Sequence, residues 1–266
     1  MESLQQHESP KEYETWMDAN RVLAAILDIG ELLLESGAEV MRVEDTITRL
    51  CQAYGFLRSD VFTITSSIVL TVQMEGGRVM TQTRRVRTRQ TDLGAVEKLN
   101  ALSREVCARR MPVELLNEKI EMIRTRKPAP FILTAACYAV ISAVFSVFFG
   151  GNGYDAVTAA VSGIVLCLSL LVMSRMHVNA VIENMLCSAA TAFAVMLMVR
   201  AGLGMHPDKI IIGNIMLLIP GIQLTTSLRD IFNEDMIAGL LGLAEAVLKA
   251  LAIALGFAFV LIRMGG

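Results

Sequence analysis

The 266-residue sequence is 54% hydrophobic, carries 24 Lys and Arg against 26 Asp and Glu, and has a formal net charge of −2. That balance is unremarkable and gives no sign of nucleic-acid binding. The charge is unevenly spread: residues 1–130 hold 18 of the 24 basic and 19 of the 26 acidic side chains, so the first half composes like a soluble domain and the second like a membrane domain.

The first residues, Met1 to Asn20, are polar and acidic and lack the apolar core of a cleavable signal peptide. Residues 1–19 read as a tail. Two helices are expected over 20–54. Leu23, Ile26, Leu27, Leu33 and Leu34 follow helical spacing in the first, and Ser36-Gly37 stops it. Val40, Val43, Ile47, Leu50 and Cys51 give the second its apolar stripe, with Arg42, Glu44 and Asp45 beside it as a solvated face, and Gly55 ends it. Three runs rich in β-branched residues follow, Asp60–Thr65, Ser67–Met74 and Arg78–Val86. Glu75-Gly76-Gly77 joins the last two as a hairpin turn. The basic run RRVRTR at 84–89 reads as an edge strand protected by charge, or as a site for acidic headgroups. Asp92 is placed to cap a helix reaching about Arg110, and Pro112 to start another over Val113–Arg126. Residues 20–127 are therefore expected to form a small α+β domain. They contain no Gly-rich phosphate loop, nucleophile elbow or metal-ligand spacing.

The remainder, 128–266, reads as an all-α membrane bundle of five transmembrane helices. Pro128 and Pro130 mark the junction. The apolar segments are Phe131–Phe149, Ala156–Met173, Ala180–Val199, Ile210–Leu224 and Ile237–Ile262. A helix needs about 20 residues to cross the hydrocarbon core, and the fourth is short for that. Five basic residues (Arg124, Arg126, Lys127, Arg175, Arg229) fall at the ends facing one side and three (Arg200, Lys209, Arg263) at the other. The positive-inside rule then places the N-terminal domain in the cytoplasm.

The fourth segment, KIIIGNIMLLIPGIQLTTSLRDIFNED, breaks at Pro220-Gly221 and continues in a polar piece. Proline removes a backbone donor and clashes with the preceding turn. In lipid the freed groups must be satisfied by protein or by water in a cavity, so a broken helix followed by Gln223, Thr225, Thr226 and Ser227 is a candidate substrate site. A kinked structural helix with its polar end at the surface is the other reading. Asn214, one turn into the segment, is placed to hydrogen-bond across helices, and Arg229 and Asp230 either gate the inner mouth or mark the interface. In the third segment Asn184, Ser188 and Thr191 form one polar face beside Glu183, a carboxylate that either carries a coupled proton or sits at headgroup level. Glu245 and Lys249 are spaced as a helix ion pair. The five cysteines show no paired spacing and read as small buried hydrophobes, and His7, His177 and His206 lie far apart.

Four stretches carry a resemblance: LLLESGAEVMRVEDTITRLCQAYGF, TDLGAVEKLNALSREV, FFGG at 148–151, and IPGIQLTTSLRDIFNEDMIAGLLGLAEA. In this order they resemble the threonine/serine exporter (ThrE) family over nearly the whole chain from Asn20. Gly37, Glu39, Arg42, Val43 and Glu44 match its first motif, and Pro220, Gly221, Thr225, Arg229, Asp230 and Gly239 its broken-helix motif. Thr226 stands where members often have Asn, which removes an amide from that position. The resemblance implies a cytoplasmic α+β domain followed by a first block of about five membrane helices in the bacterial inner membrane. It implies the larger subunit of a two-component exporter, partnered by a smaller membrane subunit. The substrate class is threonine and serine, with succinate as the alternative. A homo-oligomer is the other assembly, and an anchored hydrolase or a scaffold are the other functions. No catalytic residue, cofactor or metal is expected. Export would draw on the proton gradient, since no ATP-binding motif is present.

Overall fold

The computed structural model describes residues 10–87, 90–176 and 178–264. Among them the order is α1 (Pro10–Glu35), α2 (Val40–Tyr54), β1 (Arg58–Ile64), β2 (Ser67–Gln73), β3 (Val79–Arg85), α3 (Leu93–Ala108), α4 (Val113–Arg124), α5 (Phe131–Phe148), α6 (Gly153–Arg175), α7 (Ala180–Arg200), α8 (Pro207–Leu218), α9 (Gly221–Phe232) and α10 (Met236–Met264). The chain divides into two compact units, Met1–Arg126 with Ile222–Leu243, and Lys127–Gly221 with Ala244–Gly266.

The first unit is α+β. Its helix ends follow local chemistry. Gly37 (φ 87°) stops α1 and Gly55 (φ 89°) closes α2, both in the left-handed region that glycine enters without a Cβ penalty. The Asp92 carboxylate accepts from Ala95 N at 2.9 Å and caps α3. The hairpin turns through Gly76 and Gly77, both at positive φ, with Met74 N donating to Arg78 O at 2.9 Å. The sheet is antiparallel in the order β1-β2-β3, with Val61 opposite Leu70 and Leu70 opposite Gln82. Ile68, Leu70 and Val72 point from one face of β2 into a core with Leu23, Ile26, Leu33, Ile47, Leu50, Leu99 and Leu116. Ala238, from the first turns of α10, belongs to the same core.

The structure departs from the sequence reading in detail: Cys107 and Cys137 are exposed, where all five cysteines were expected to be buried. Helix α1 begins at Pro10, ten residues before the start expected at Asn20, because residues 11–19 continue the helix without a breaker. Of the basic run, Arg84 turns inward: its Nε donates to Asp28 Oδ1 on α1 at 3.0 Å, with both side chains under a third exposed. Thr88 and Arg89 lie outside the described residues, as do His7 and His177.

The second unit is helical. Among the described residues, four helices, α5, α6, α7 and α10, are long and apolar enough to cross a membrane; the pair α8 and α9, bent by 52°, makes a fifth if it counts as one span. Asn152 and Asp155 form a reciprocal capping box at the start of α6, Asn179 caps α7 through Val181 N, and Pro207 opens α8. Buried Ala159, Leu166, Cys187, Val195, Ile210, Ile253 and Phe257 form the core. The outer faces carry exposed side chains such as Ile132, Val140, Val157, Val172, Phe193 and Leu255, the pattern of helices that face hydrocarbon.

Candidate functional site

Helix α2 starts without a cap of its own. Glu39 at its N-cap is extended (φ −66°, ψ 144°) and its side chain makes no capping bond. The missing acceptor arrives from α9: Asp230 Oδ1 accepts from Val40 N at 3.2 Å, across 190 positions of sequence. Asp230 is 4% exposed, and its negative charge faces the positive end of the α2 dipole. One residue earlier, Arg229 Nη1 meets Glu39 Oε1 at 2.5 Å. One turn further along α2, Glu44 Oε1 accepts from Thr63 N on β1 at 2.7 Å. Burial is the main influence on the Glu44 carboxyl and pushes it above the usual carboxylate range. The Thr63 N–H opposes that shift and the charge of Asp235 adds to it. Burial raises Asp235 as well. Asp235 is tied to the same place, its N–H donating to Asp230 O at 2.9 Å. Glu39 and Glu44 of the first motif, with Val40 between them, and Arg229 and Asp230 of the broken-helix motif, with Asp235 just after them, therefore meet in one junction.

Helix α9 is held in the junction by the opening turns of α10. Gly239 lies so close that a Cβ there would meet Ile231 N and Ser227 O, each at 2.8 Å. Gln223 Nε2 donates to Gly242 O at 3.4 Å, and Thr226 Oγ1 donates to Gln223 O at 3.1 Å. Thr225 is exposed, and Gly221 has open space around its Cα. Between α8 and α9 the helix is interrupted at Ile219-Pro220, with Gly221 N donating to Ile219 O at 2.8 Å.

The second unit buries its own polar network. Asn214 on α8 is fully buried; its Oδ1 accepts from Ser142 Oγ at 3.1 Å, and its Nδ2 donates to Ser162 Oγ at 2.7 Å and Ile210 O at 2.9 Å. One side chain thus joins α5, α6 and α8, and glycines make the approach possible. A Cβ on Gly163 would meet Ser142 Oγ at 2.6 Å, and one on Gly213 would meet Ser146 N at 3.1 Å. Ser146 Oγ is buried with no hydrogen-bond partner.

A second cluster closes the N-terminal end of α6. The Asp155 side chain is fully buried. Its Oδ1 accepts from Met205 N (2.7 Å) and His206 N (3.0 Å), and its Oδ2 accepts from Asn152 N (2.9 Å) and meets His206 Nδ1 at 2.8 Å.

The candidate residues thus fall in different places. Asn214 sits in the α5–α6–α8 network. Ser188, buried, donates to Met185 O at 2.9 Å on its own helix, and Asn184 and Glu183 are half-buried in the first turns of α7. Gln223, Thr225, Thr226, Arg229 and Asp230 lie on α9. Glu245 and Lys249 pair at 2.8 Å. Asp155, His206, Ser142 and Ser162 were not singled out by sequence. The Asn152–Asp155 spacing of a capping box was the available signal for Asp155. Among the described residues no group of three or more His, Cys, Asp or Glu side chains could hold a metal ion.

A family model described as "Putative threonine/serine exporter" (ThrE) matches residues 24–263. A curated protein of Mycobacterium tuberculosis named "Probable threonine/serine exporter" is 26% identical over 244 residues, covering 90% of this chain and 46% of its own length. The chain thus spans about half the length of that relative. No solved structure matches.

Proposed function

Because the chain belongs to the threonine/serine exporter (ThrE) family, we propose that it is part of a secondary transporter exporting a small polar metabolite, with threonine and serine as substrates. It is a multi-pass membrane protein. In this reading it lies in the bacterial inner membrane with the α+β unit in the cytoplasm. The observation that carries the reading is the interruption at Pro220 in an otherwise apolar stretch, followed at once by the amide and hydroxyl side chains of α9. Interrupted helices in transporters present backbone and short polar groups to solutes at the interface of two repeats. One such block offers half of an interface, and a smaller membrane subunit of the same family supplies the other half, or a second copy does. The curated relative, about twice as long as its matched region, is of a size to hold two blocks in one chain.

Export is proton-coupled in this reading, with Glu183 in the first turn of α7 as one carboxylate able to carry the proton across. The test is efflux of preloaded serine and threonine from proteoliposomes under an imposed proton gradient, with this chain alone and together with its smaller partner. Efflux that needs both proteins and the gradient supports the reading. Efflux by a monomer of this chain alone overturns the half-transporter assembly, and absence of any efflux from the pair overturns the substrate assignment. Glu183→Gln is expected to remove the pH dependence of net export while sparing counterflow exchange.

A further inference from the structure

The link into α3 is strapped across the end of α1: Gln90 N donates to Glu35 O at 2.7 Å, and Asp92 N donates to Ser36 O at 3.1 Å. Beside these bonds lies a cavity of about 250 Å³. It is set between the last turn of α1, the first turn of α3 and the end of α4, with Leu99 and Ile123 on its apolar side. That volume falls just under the roughly 300–1,000 Å³ of clefts for drug-sized ligands, so it suits a solute of few non-hydrogen atoms.

Both signs of charge face this space. The C-terminal end of α1 carries a partial negative charge and the N-terminal end of α3 a partial positive one. Side chains repeat the division. Glu35 stands at the end of α1, and Arg126 reaches the start of α3, where a Cβ on Gly94 would meet its Nη1 at 2.6 Å. Glycine there leaves the guanidinium its place. Arg126 is 3.8 Å from Asp92 Oδ1, too far for a hydrogen bond, and Asp92 already accepts from Ala95 N. Arg124, the other cation of the lining, is held by Glu121 at 2.9 Å. Arg126 therefore keeps its fork of N–H donors for an incoming carboxylate. Two carboxylates, Glu35 and Asp92, balance the two guanidiniums of the lining. A lone anion or a lone cation loses at one end what it gains at the other, whereas a zwitterion matches both.

We propose that this cavity binds a small α-amino acid in its zwitterionic form, with the carboxylate on Arg126 at the start of α3 and the ammonium on Glu35 at the end of α1. The site is separate from the broken helix. That its ligand is also the exported solute rests on the exporter reading, and the α+β unit then senses the concentration of that solute. Ser36, in the lining, is followed three residues later by Glu39, the partner of Arg229, so occupancy is felt at the junction with α9.

The experiment is methyl NMR of the full chain in lipid nanodiscs, with Ile and Leu methyls labelled and L-serine as the probe. Ile123 and Leu99 report on the cavity, and Ile47 and Leu50 on the core of the unit. Serine-dependent shifts at Ile123 and Leu99, with Ile47 and Leu50 unmoved, support the site. Propionate and ethylamine, each carrying one of the two charges, should bind about tenfold more weakly, the loss expected for one charge-assisted contact. Arg126→Gln should weaken serine and propionate and spare ethylamine; Glu35→Gln should weaken serine and ethylamine and spare propionate. A side chain that only held the fold would not divide the ligands in this way. Absence of serine-dependent shifts at Ile123 and Leu99, equal serine binding in wild type and both variants, or propionate binding as tight as serine overturns the site. Serine efflux from proteoliposomes holding the chain and its smaller partner is measured apart. Efflux without cavity shifts removes this site and keeps the exporter reading, and cavity shifts without efflux do the reverse.

Discussion

Asp230 caps helix α2 at Val40 from the far end of the chain, with Oδ1 3.2 Å from the amide nitrogen. The cap follows from what Glu39 fails to do, since its own side chain is drawn to Arg229. Asp230→Ala should therefore destabilise the first turn of α2 by about 0.5–2 kcal/mol, the usual range for loss of an N-cap acceptor. Asp230→Asn, which keeps an oxygen acceptor and loses only the charge, should lose less. Hydrogen exchange at Val40 to Val43 reads the difference. Equal protection in wild type and Asp230→Ala would show that the bond contributes nothing.

The glycines of the broken-helix region make opposite predictions. Gly221 has nothing within 4 Å of the Cβ it lacks, and its φ is not positive. Gly221→Ala alone should be tolerated. Gly239→Ala places a methyl 2.8 Å from Ile231 N and Ser227 O, both backbone atoms, and should separate α9 from α10. Replacing Pro220 with Ala and Gly221 with Leu together restores helix-forming residues across the break and should abolish efflux while leaving membrane insertion intact. Efflux assays on the three variants at matched reconstitution levels decide the ranking.

The pH response of the junction has a definite sign. Glu44 and Asp235 are both raised above the ordinary carboxylate range, with burial the largest cause in each case. A raised acid binds its proton more tightly folded than unfolded, so its favourable contribution is complete below the ordinary carboxylate pKa and is lost as pH rises through the raised one. Hydrogen-exchange protection of residues 222–243, corrected for the intrinsic pH dependence of exchange, should fall as pH rises through that window. In Glu44→Gln the fall should be smaller. Protection that rises with pH would contradict the assignment.

Asn214 is a structural joint of the second unit. Asn214→Leu preserves the bulk and removes bonds to Ser142 and Ser162, which then stay buried. Interhelical hydrogen bonds in membranes average about 0.6 kcal/mol and reach about 1.7 kcal/mol, and a loss in that range is expected in unfolding measured by steric trapping. A double-mutant cycle with Ser142→Ala gives the pairwise share. A coupling indistinguishable from zero would assign the three-helix contact to packing alone.

Much of the local architecture was legible because its causes are local. Gly55, the Gly76-Gly77 turn, the Asp92 cap and the Pro220 interruption act within a few residues of themselves, and each appears where its chemistry places it. The Glu245–Lys249 pair is of the same kind. Asn214 was legible in part: an amide in an apolar helix needs partners, yet one sequence does not say that they are Ser142 and Ser162. Arg84 was harder, since its pairing with Asp28 depends on how β3 lies on α1. The junction was not legible as a place. Glu39 and Arg229 are 190 positions apart, and nothing local distinguishes that ion pair from two solvated charges. Asp155 escaped notice because the second apolar run begins after it, so its carboxylate looked like a loop residue.

Helix α8 has 12 residues, where its neighbours α6 and α7 have 23 and 21. At 1.5 Å per residue that is about 18 Å of rod beside two of more than about 30 Å. The hydrocarbon core of a bilayer is about 30 Å thick, so the long helices match it by tilting while α8 falls short of it. Bilayer thickness thus bears unequally on members of one bundle. A thicker membrane leaves α6 and α7 content and stretches the mismatch at the Pro220 end of α8, and a thinner one relieves it. The lipid composition around the protein becomes a control on the break itself.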